Sequence, residues 1–175
     1  TPDEINARIE QMVGRVSQEQ MQKARYENAP IEMKDEDDFT KDGGEDFEDV
    51  RIYKHLGLIR KTLRREEAEK LLKTAKLVKA KLGDLFAPFT IIQDEKGNYV
   101  MIQEMANDKA FASDGSVQKK FGDIFELIKE MMARGLVAGD PYINNYGYMP
   151  DGRLVLFDLG YIYTLRNYLE AQRRG

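Results

Sequence analysis

Residues 139–160 read "GDPYINNYGYMPDGRLVLFDLG". Asp140 precedes Pro141, a good N-cap and N1 pair. Asn144-Asn145 sits in the loop that follows. Tyr146–Tyr148 and Leu154–Phe157 are short β-rich runs turned by Asp151-Gly152, the dipeptide that two-residue hairpin turns favour. Asp158 ends the second run and opens the turn Leu159-Gly160. Taken singly, each polar residue is ordinary turn chemistry. Antiparallel pairing changes this, because it returns the end of the second strand to the start of the first. Asn145 is then expected beside Asp158, with Asp140 on the loop leading in. Three oxygen-bearing side chains at one sheet edge suit Mg²⁺, which keeps several waters and takes few protein oxygens. A carboxylate not committed to the metal could accept a proton from a hydroxyl nucleophile.

Working outward, residues 117–134 carry Phe121, Ile124, Phe125, Ile128, Met131 and Met132 on a wide apolar helical face, with Gly135 at the C-terminal glycine position. "FTIIQDEKGNYVMIQEM" predicts a hairpin of Phe89–Gln93 and Tyr99–Glu104 around "DEKGN". Arg64–Leu82 reads as a helix with Ala68, Leu71, Leu72, Ala75 and Val78 as its stripe, closed by Gly83. "DVRIYKHL", residues 49–56, suits a strand. Residues 28–49 gather Pro, Gly, Asp and Glu, which predicts a loop with at most one weak hairpin. Residues 3–27 place Ile5, Ile9, Met12, Val13, Val16 and Met21 at helical spacing, and Thr164–Arg174 is a last helical stretch. Strands and helices segregate rather than alternate, so the expected class is α+β.

Composition narrows the chemistry. The 175 residues suit one domain or two small lobes. With no cysteine, disulfides, thiolate metal sites and a cysteine nucleophile are excluded. The lone histidine, His55, rules out a two-histidine metal site, and no G-x-S-x-G elbow accompanies it. No apolar run reaches the roughly 18 to 20 residues of a membrane span, and no secretory signal is visible. A net charge of −4 covers an acidic stretch over 27–50 and a basic one over 51–81. Each reads first as a solvated face. The basic helix and the N-terminal helix are the candidate protein-partner surfaces, and nucleic acid is not an expected partner.

The opening segment resembles the catalytic core of the protein-kinase-like superfamily. That family places an Asn five residues after a catalytic-loop Asp and an Asp-x-Gly beyond it; Asp140, Asn145 and Asp158-Leu159-Gly160 stand in that order. The form with Gly139 before the aspartate is most similar to the aminoglycoside-phosphotransferase branch and related atypical kinases. Ala138 stands where the motif usually has His.

The resemblance implies a small β-rich N-lobe over 49–106 and a truncated, mostly helical C-lobe over 107–175, with 1–48 as an N-terminal extension. It implies ATP and Mg²⁺ as cofactors and γ-phosphate transfer to a hydroxyl of a protein or small molecule. Asn145 and Asp158 would hold the metal and Asp140 would be the base. Lys54 would neutralise the phosphates and pair with Glu67 of the following helix, which lies nearer the apolar stripe than Glu66 or Glu69. Gln103 would be the gatekeeper, with Glu104 and Ala106 offering backbone groups to adenine.

Two departures stand out. No clear Gly-rich phosphate loop precedes Lys54, since the carboxylates of "KDGGED" would repel phosphate. Only fifteen residues follow Gly160, which leaves no room for an activation segment. The chain therefore reads as a fragment or a minimal kinase, similar to compact effector kinases that bacterial pathogens deliver into host cytosol or to pared-down phage kinases. The alternative is a kinase-like interaction module without catalysis. Absence of cysteine suits a reducing cytoplasm.

Overall fold

The first strands pair in chain order because each link between them is short. A computed structural model describes residues 34–35, 37–40, 43–94, 96–109, 115–139, 142–160 and 162–174. The expected N-terminal helix over 3–27 lies outside these. The described residues form an α+β protein whose backbone separates into two compact units, Thr1–Lys73 with Pro88–Met105, and Thr74–Ala87 with Ala106–Gly175. No helix among the described residues is long and apolar enough to cross a membrane.

The first unit is a five-stranded antiparallel sheet in the order β1-β2-β3-β5-β4, formed by β1 (Asp38–Thr40), β2 (Phe47–Tyr53), β3 (Leu58–Leu63), β4 (Phe89–Gln93) and β5 (Tyr99–Glu104). The β4–β5 hairpin has the predicted bounds. Its turn is held by Asp94, whose Oδ1 accepts the amides of Lys96 and Asn98. The strand expected over 49–56 instead runs Phe47–Tyr53, and residues 54–57 form a turn closed by Gly57 at φ +66°. That turn leads into β3, which the sequence reading did not find. Alternation across the sheet gives one face Tyr53, Leu58, Ile92, Val100 and Ile102, and the other Phe47, Leu63, Phe89, Ile91 and Met101. All ten are buried, so the sheet carries core on both sides.

Helix α1 (Arg65–Lys81) contributes its first turns to this unit and the rest to the second. It buries Ala68, Leu71, Ala75 and Val78, much as its spacing predicts, whereas Leu72 is only half-buried.

In the second unit, α2 (Ser116–Ala133) begins after Gly115 at φ +78° and stops before Gly135 at φ +82°, the left-handed geometry in which glycine carries no Cβ penalty. Its buried side chains are Lys120, Ile124, Leu127 and Met131. Phe121, Phe125 and Met132, expected on the core face, are exposed. The apolar surface of this helix is therefore wider than its buried stripe. Arg134 donates from its guanidinium to the carbonyl of Leu82 at 3.0 Å, satisfying an acceptor at the end of α1. Ala87, Met149 and Val155 form a small core with Ala106 and Phe157 packed on it. Four short strands, β6 (Leu136–Ala138), β7 (Tyr146–Tyr148), β8 (Leu154–Leu156) and β9 (Ile162–Thr164), precede the final helix α3 (Leu165–Arg174).

Candidate active site

The opening segment folds as two nested antiparallel ladders. The outer ladder joins β6 to β9 with Ala138 opposite Ile162, and the inner one joins β7 to β8 with Tyr146 opposite Leu156. The sequence shows the inner hairpin plainly. The outer pair is three residues long on each side and distant in sequence, so no local pattern announces it. Residues 142–145 and 157–160 therefore meet at the same end of the inner ladder. The link is direct at its inner end, where the Phe157 amide donates to the Asn145 carbonyl at 3.2 Å. Asn145 closes a single 3-10 turn, Ile143–Asn145, and its amide donates to Tyr142.

Asp158 follows immediately. Its Oδ1 accepts the amide of Gly160 at 2.9 Å, an Asx-type turn that fixes the carboxylate relative to the backbone. Asn145 and Asp158 are each half-buried. The fold thus brings these two oxygen-bearing residues to one end of the inner ladder, as antiparallel pairing predicts. Asp140 lies outside the described residues. Among the described residues there is no cluster of three or more His, Asp or Glu side chains. The hard oxygen donors of Asn145 and Asp158 fit Mg²⁺, which needs only one or two protein ligands beside water and phosphate.

Gly147 explains how tightly this hairpin is seated. A Cβ there would lie 2.8 Å from the Cβ of Ala106 and 3.0 Å from the carbonyl oxygen of Asn107. Asn107 and Tyr148 exchange both backbone hydrogen bonds at 2.8 Å, an isolated antiparallel bridge that ties the chain after Ala106 to β7. Tyr148 continues into a polar cluster on α2. Its hydroxyl donates to Asp123, while Lys119 lies 2.7 Å from the same carboxylate and 4.6 Å from the Tyr148 ring centre. The hydrogen bond from Lys119, then that from Tyr148, holds the Asp123 carboxyl below its usual range.

In the first unit the expected cation is not where the strand reading put it. Lys54 is exposed in the β2–β3 turn and pairs with Asp38 at 3.1 Å. Glu67, on the first turn of α1, lies 3.9 Å from Lys70. The structure brings Lys54 and Glu67 to different partners and does not join them. The reason is topological: "DVRIYKHL" supplies the second strand and its turn, and the third strand is "LIRKTL". Its lysine, Lys61, stands opposite Val50 and Met101, with its Nζ 5.1 Å from the Phe47 ring centre. Sequence reasoning missed Lys61 because Arg60, Lys61 and Thr62 mask the alternation. Gly57, a turn signal one residue before Leu58, is the clue that would have found it.

Gln103 is fully buried on β5, opposite Ile59. Glu104 is buried too, and its amide donates to the Pro88 carbonyl at 2.9 Å, so that amide is spent within the protein. The next amide, of Met105, goes to Gly57. Between β1 and β2, Gly43 is a required glycine, since a Cβ there would meet the Phe47 Cβ at 2.7 Å. Arg64 ties this loop down through its Nε to Gly44 and its amide to Asp46, each at 2.9 Å.

No protein-family model matches the chain, and no curated protein matches it. Among solved structures, the chain is similar to WbdD in a co-crystal with the kinase inhibitor LY294002, at 11% identity and a TM-score of 0.46. The match covers 77% of this chain, which spans 35% of that one.

Proposed function

We propose that the chain is an ATP- and Mg²⁺-dependent phosphotransferase of the protein-kinase-like type, moving the γ-phosphate to a hydroxyl of a protein or small molecule. The observation that carries this reading is the Phe157–Asn145 backbone bond inside nested ladders, which sets Asn145 beside Asp158. Those two residues would hold Mg²⁺, whose charge offsets that of the nucleotide phosphates. Asp140, upstream on the same connection, would orient the acceptor hydroxyl and take its proton as the new P–O bond forms and the bond to ADP breaks.

Protein kinases carry the phosphate-binding lysine on their third strand. Lys61 of β3 takes that role here in place of Lys54. Glu67 remains the preferred helix carboxylate, because it is half-buried at the head of the Leu71 and Ala75 stripe while Glu66 and Glu69 are exposed. Since the Glu104 amide is already bonded, Ala106 is the preferred backbone contact for adenine, with buried Gln103 as gatekeeper.

A thermal shift with ATP and Mg²⁺ tests the reading, because a ligand that binds the folded state raises apparent stability. The shift should disappear in Asp158→Asn and persist in Asp140→Asn. Transfer of labelled phosphate to the protein itself or to a generic acceptor should disappear in both. An undiminished shift in Asp158→Asn sinks the proposal.

A second reading, a nucleotide-binding or protein-interaction module without catalysis, has one observation in its favour. The only glycine pair between β1 and β2, Gly43-Gly44, is followed by Glu45 and Asp46, whose charges oppose a phosphate. Nucleotide binding without transfer to any acceptor would select it.

A further inference from the structure

Among the described residues six large apolar side chains are exposed, and three of them, Phe121, Phe125 and Met132, lie on α2 at 56%, 63% and 48% exposure. With half-buried Ile128 they form one row, spaced four, three and four residues apart. The buried row Lys120, Ile124, Leu127 and Met131 has the same spacing one residue earlier. At about 100° per residue the two rows run side by side, one packed into the core and the other open. Apolar side chains exposed singly need no partner, but a contiguous row of them marks an interaction surface.

The spacing dictates the shape of what fits. Residues four, three and four apart make the seam along which one helix packs its side chains between those of another. The occupant must therefore be a helix with an apolar row of its own. The row of α1, from Ala68 to Val78, is buried, and α3 offers only Leu165, Tyr168 and Leu169. Among the described helices α2 itself carries the matching row, so two copies can face each other across a twofold axis and form a closed pair. The border of the row decides their direction. Gln118, Gly122 and Lys129 flank it on the solvent side, and Lys129 is the one charge among them. Its Nζ lies 5.3 Å from the Phe125 ring centre. A parallel pair would set Lys129 against Lys129. An antiparallel pair sets it against Gly122, where even an added Cβ would meet nothing within 4 Å and a partner side chain has room.

We propose that the chain forms a weak antiparallel homodimer through α2, with Phe121 and Phe125 of each copy packed on Met132 and Ile128 of the other. The three exposed side chains supply roughly 300 Å² per copy, and the residues bordering the row add to this. That lies below the standard interface of about 800 Å² per partner, so the pair is transient, half-associated at roughly 10 to 100 µM. The surface is independent of the phosphotransferase reading and uses none of its residues.

The experiment is sedimentation equilibrium of the purified chain over concentrations from well below to well above that range. The mass should rise from that of one chain toward that of two. Phe125→Ser and Phe121→Ser, both at exposed positions, should each weaken association about tenfold or more, while Tm at low concentration stays at the parent value. Because the chain has no cysteine, single introduced thiols report the direction of the pair. A mixture of Gly122→Cys and Lys129→Cys chains should cross-link through a short bis-maleimide faster than either variant alone. A single-chain mass across the whole series would leave the row to a helix of another protein and overturn the proposal. Association undiminished in both serine variants, or Lys129→Cys alone cross-linking fastest, would overturn it too.

Discussion

The Nδ1 of His55 lies 2.6 Å from a carboxylate oxygen of Asp37, whose other oxygen accepts the His55 amide at 3.4 Å. The Asp37 carboxylate also accepts the Lys34 amide at 2.8 Å. Burial pushes the Asp37 carboxyl up. The hydrogen bonds from the His55 side chain and from the Lys34 and His55 amides, together with the His55 charge, outweigh it and hold the group at about 2, against an ordinary 3.8. A depressed carboxyl contributes stability that is complete above its unfolded value and is lost as pH falls toward its folded one. The parent should therefore be more stable than Asp37→Asn above about pH 5, with the gap closing between about pH 4 and 2. Tm measured from pH 7 to 2 on both proteins checks this; a gap that persists at pH 2 refutes it.

Lys61 and Lys54 separate two versions of the phosphate-binding cation. Lys61→Met should lower kcat/KM for phosphate transfer on the order of 10² to 10³-fold, the scale of losing one preorganised charge partner. Lys54→Met, which removes only an exposed pair with Asp38, should stay within about twofold and cost under about 1 kcal/mol of stability. Steady-state kinetics with both variants decides between them, and the opposite ranking would restore Lys54.

Gly147→Ala should destabilise by roughly 1 to 3 kcal/mol, because its methyl meets the backbone of Asn107 as well as the Ala106 side chain. Urea denaturation at unchanged slope measures it. Gly122→Ala is the control: a Cβ at Gly122 meets nothing within 4 Å, so the same change in mid-helix should be neutral or stabilising.

Lys120 is buried in α2 at 1% exposure, and its ammonium donates to the Asp108 carbonyl at 2.6 Å. Burial lowers its pKa, only partly opposed by Asp108. For a lysine lowered on folding, the unfolded chain binds more protons in the window between the folded value and 10.5, so stability contributed here rises with pH across it. Lys120→Met should match or exceed the parent by a few degrees at pH 7 and lose that advantage as pH approaches 10.5. A Tm series from pH 7 to 10.5 reads the convergence.

Much of this architecture is legible in the residues because local signals dominate it. "DEKGN" between two β-rich runs locates β4 and β5, and the apolar stripe of α1 gives its bounds within a residue at each end. The Asp151-Gly152 turn does the same for β7 and β8, and with them for the adjacency of Asn145 and Asp158. What escapes is non-local. The three-residue strands β6 and β9 have no periodicity of their own, and their pairing is decided by the hairpin folded between them. Strand β3 is concealed because Arg60 and Thr62 are buried polar residues where alternation expects apolar ones. Missing that strand left Lys61 unweighed beside Lys54. The half-exposed faces of Phe121 and Phe125 show the converse limit, since hydrophobicity marks a helix face without saying that anything covers it.

The nested ladders also bear on how such a site can drift over evolutionary time. An antiparallel hairpin grows or shrinks at its tip by cross-strand pairs, so lengthening β7 and β8 together moves the Asp151-Gly152 bend and leaves the root in place. The thirteen-residue interval from Asn145 to Asp158 is thus a measure of hairpin length and carries no chemical requirement. Chains with longer or shorter fingers here would keep the same pair of oxygens side by side while failing any search that counts residues.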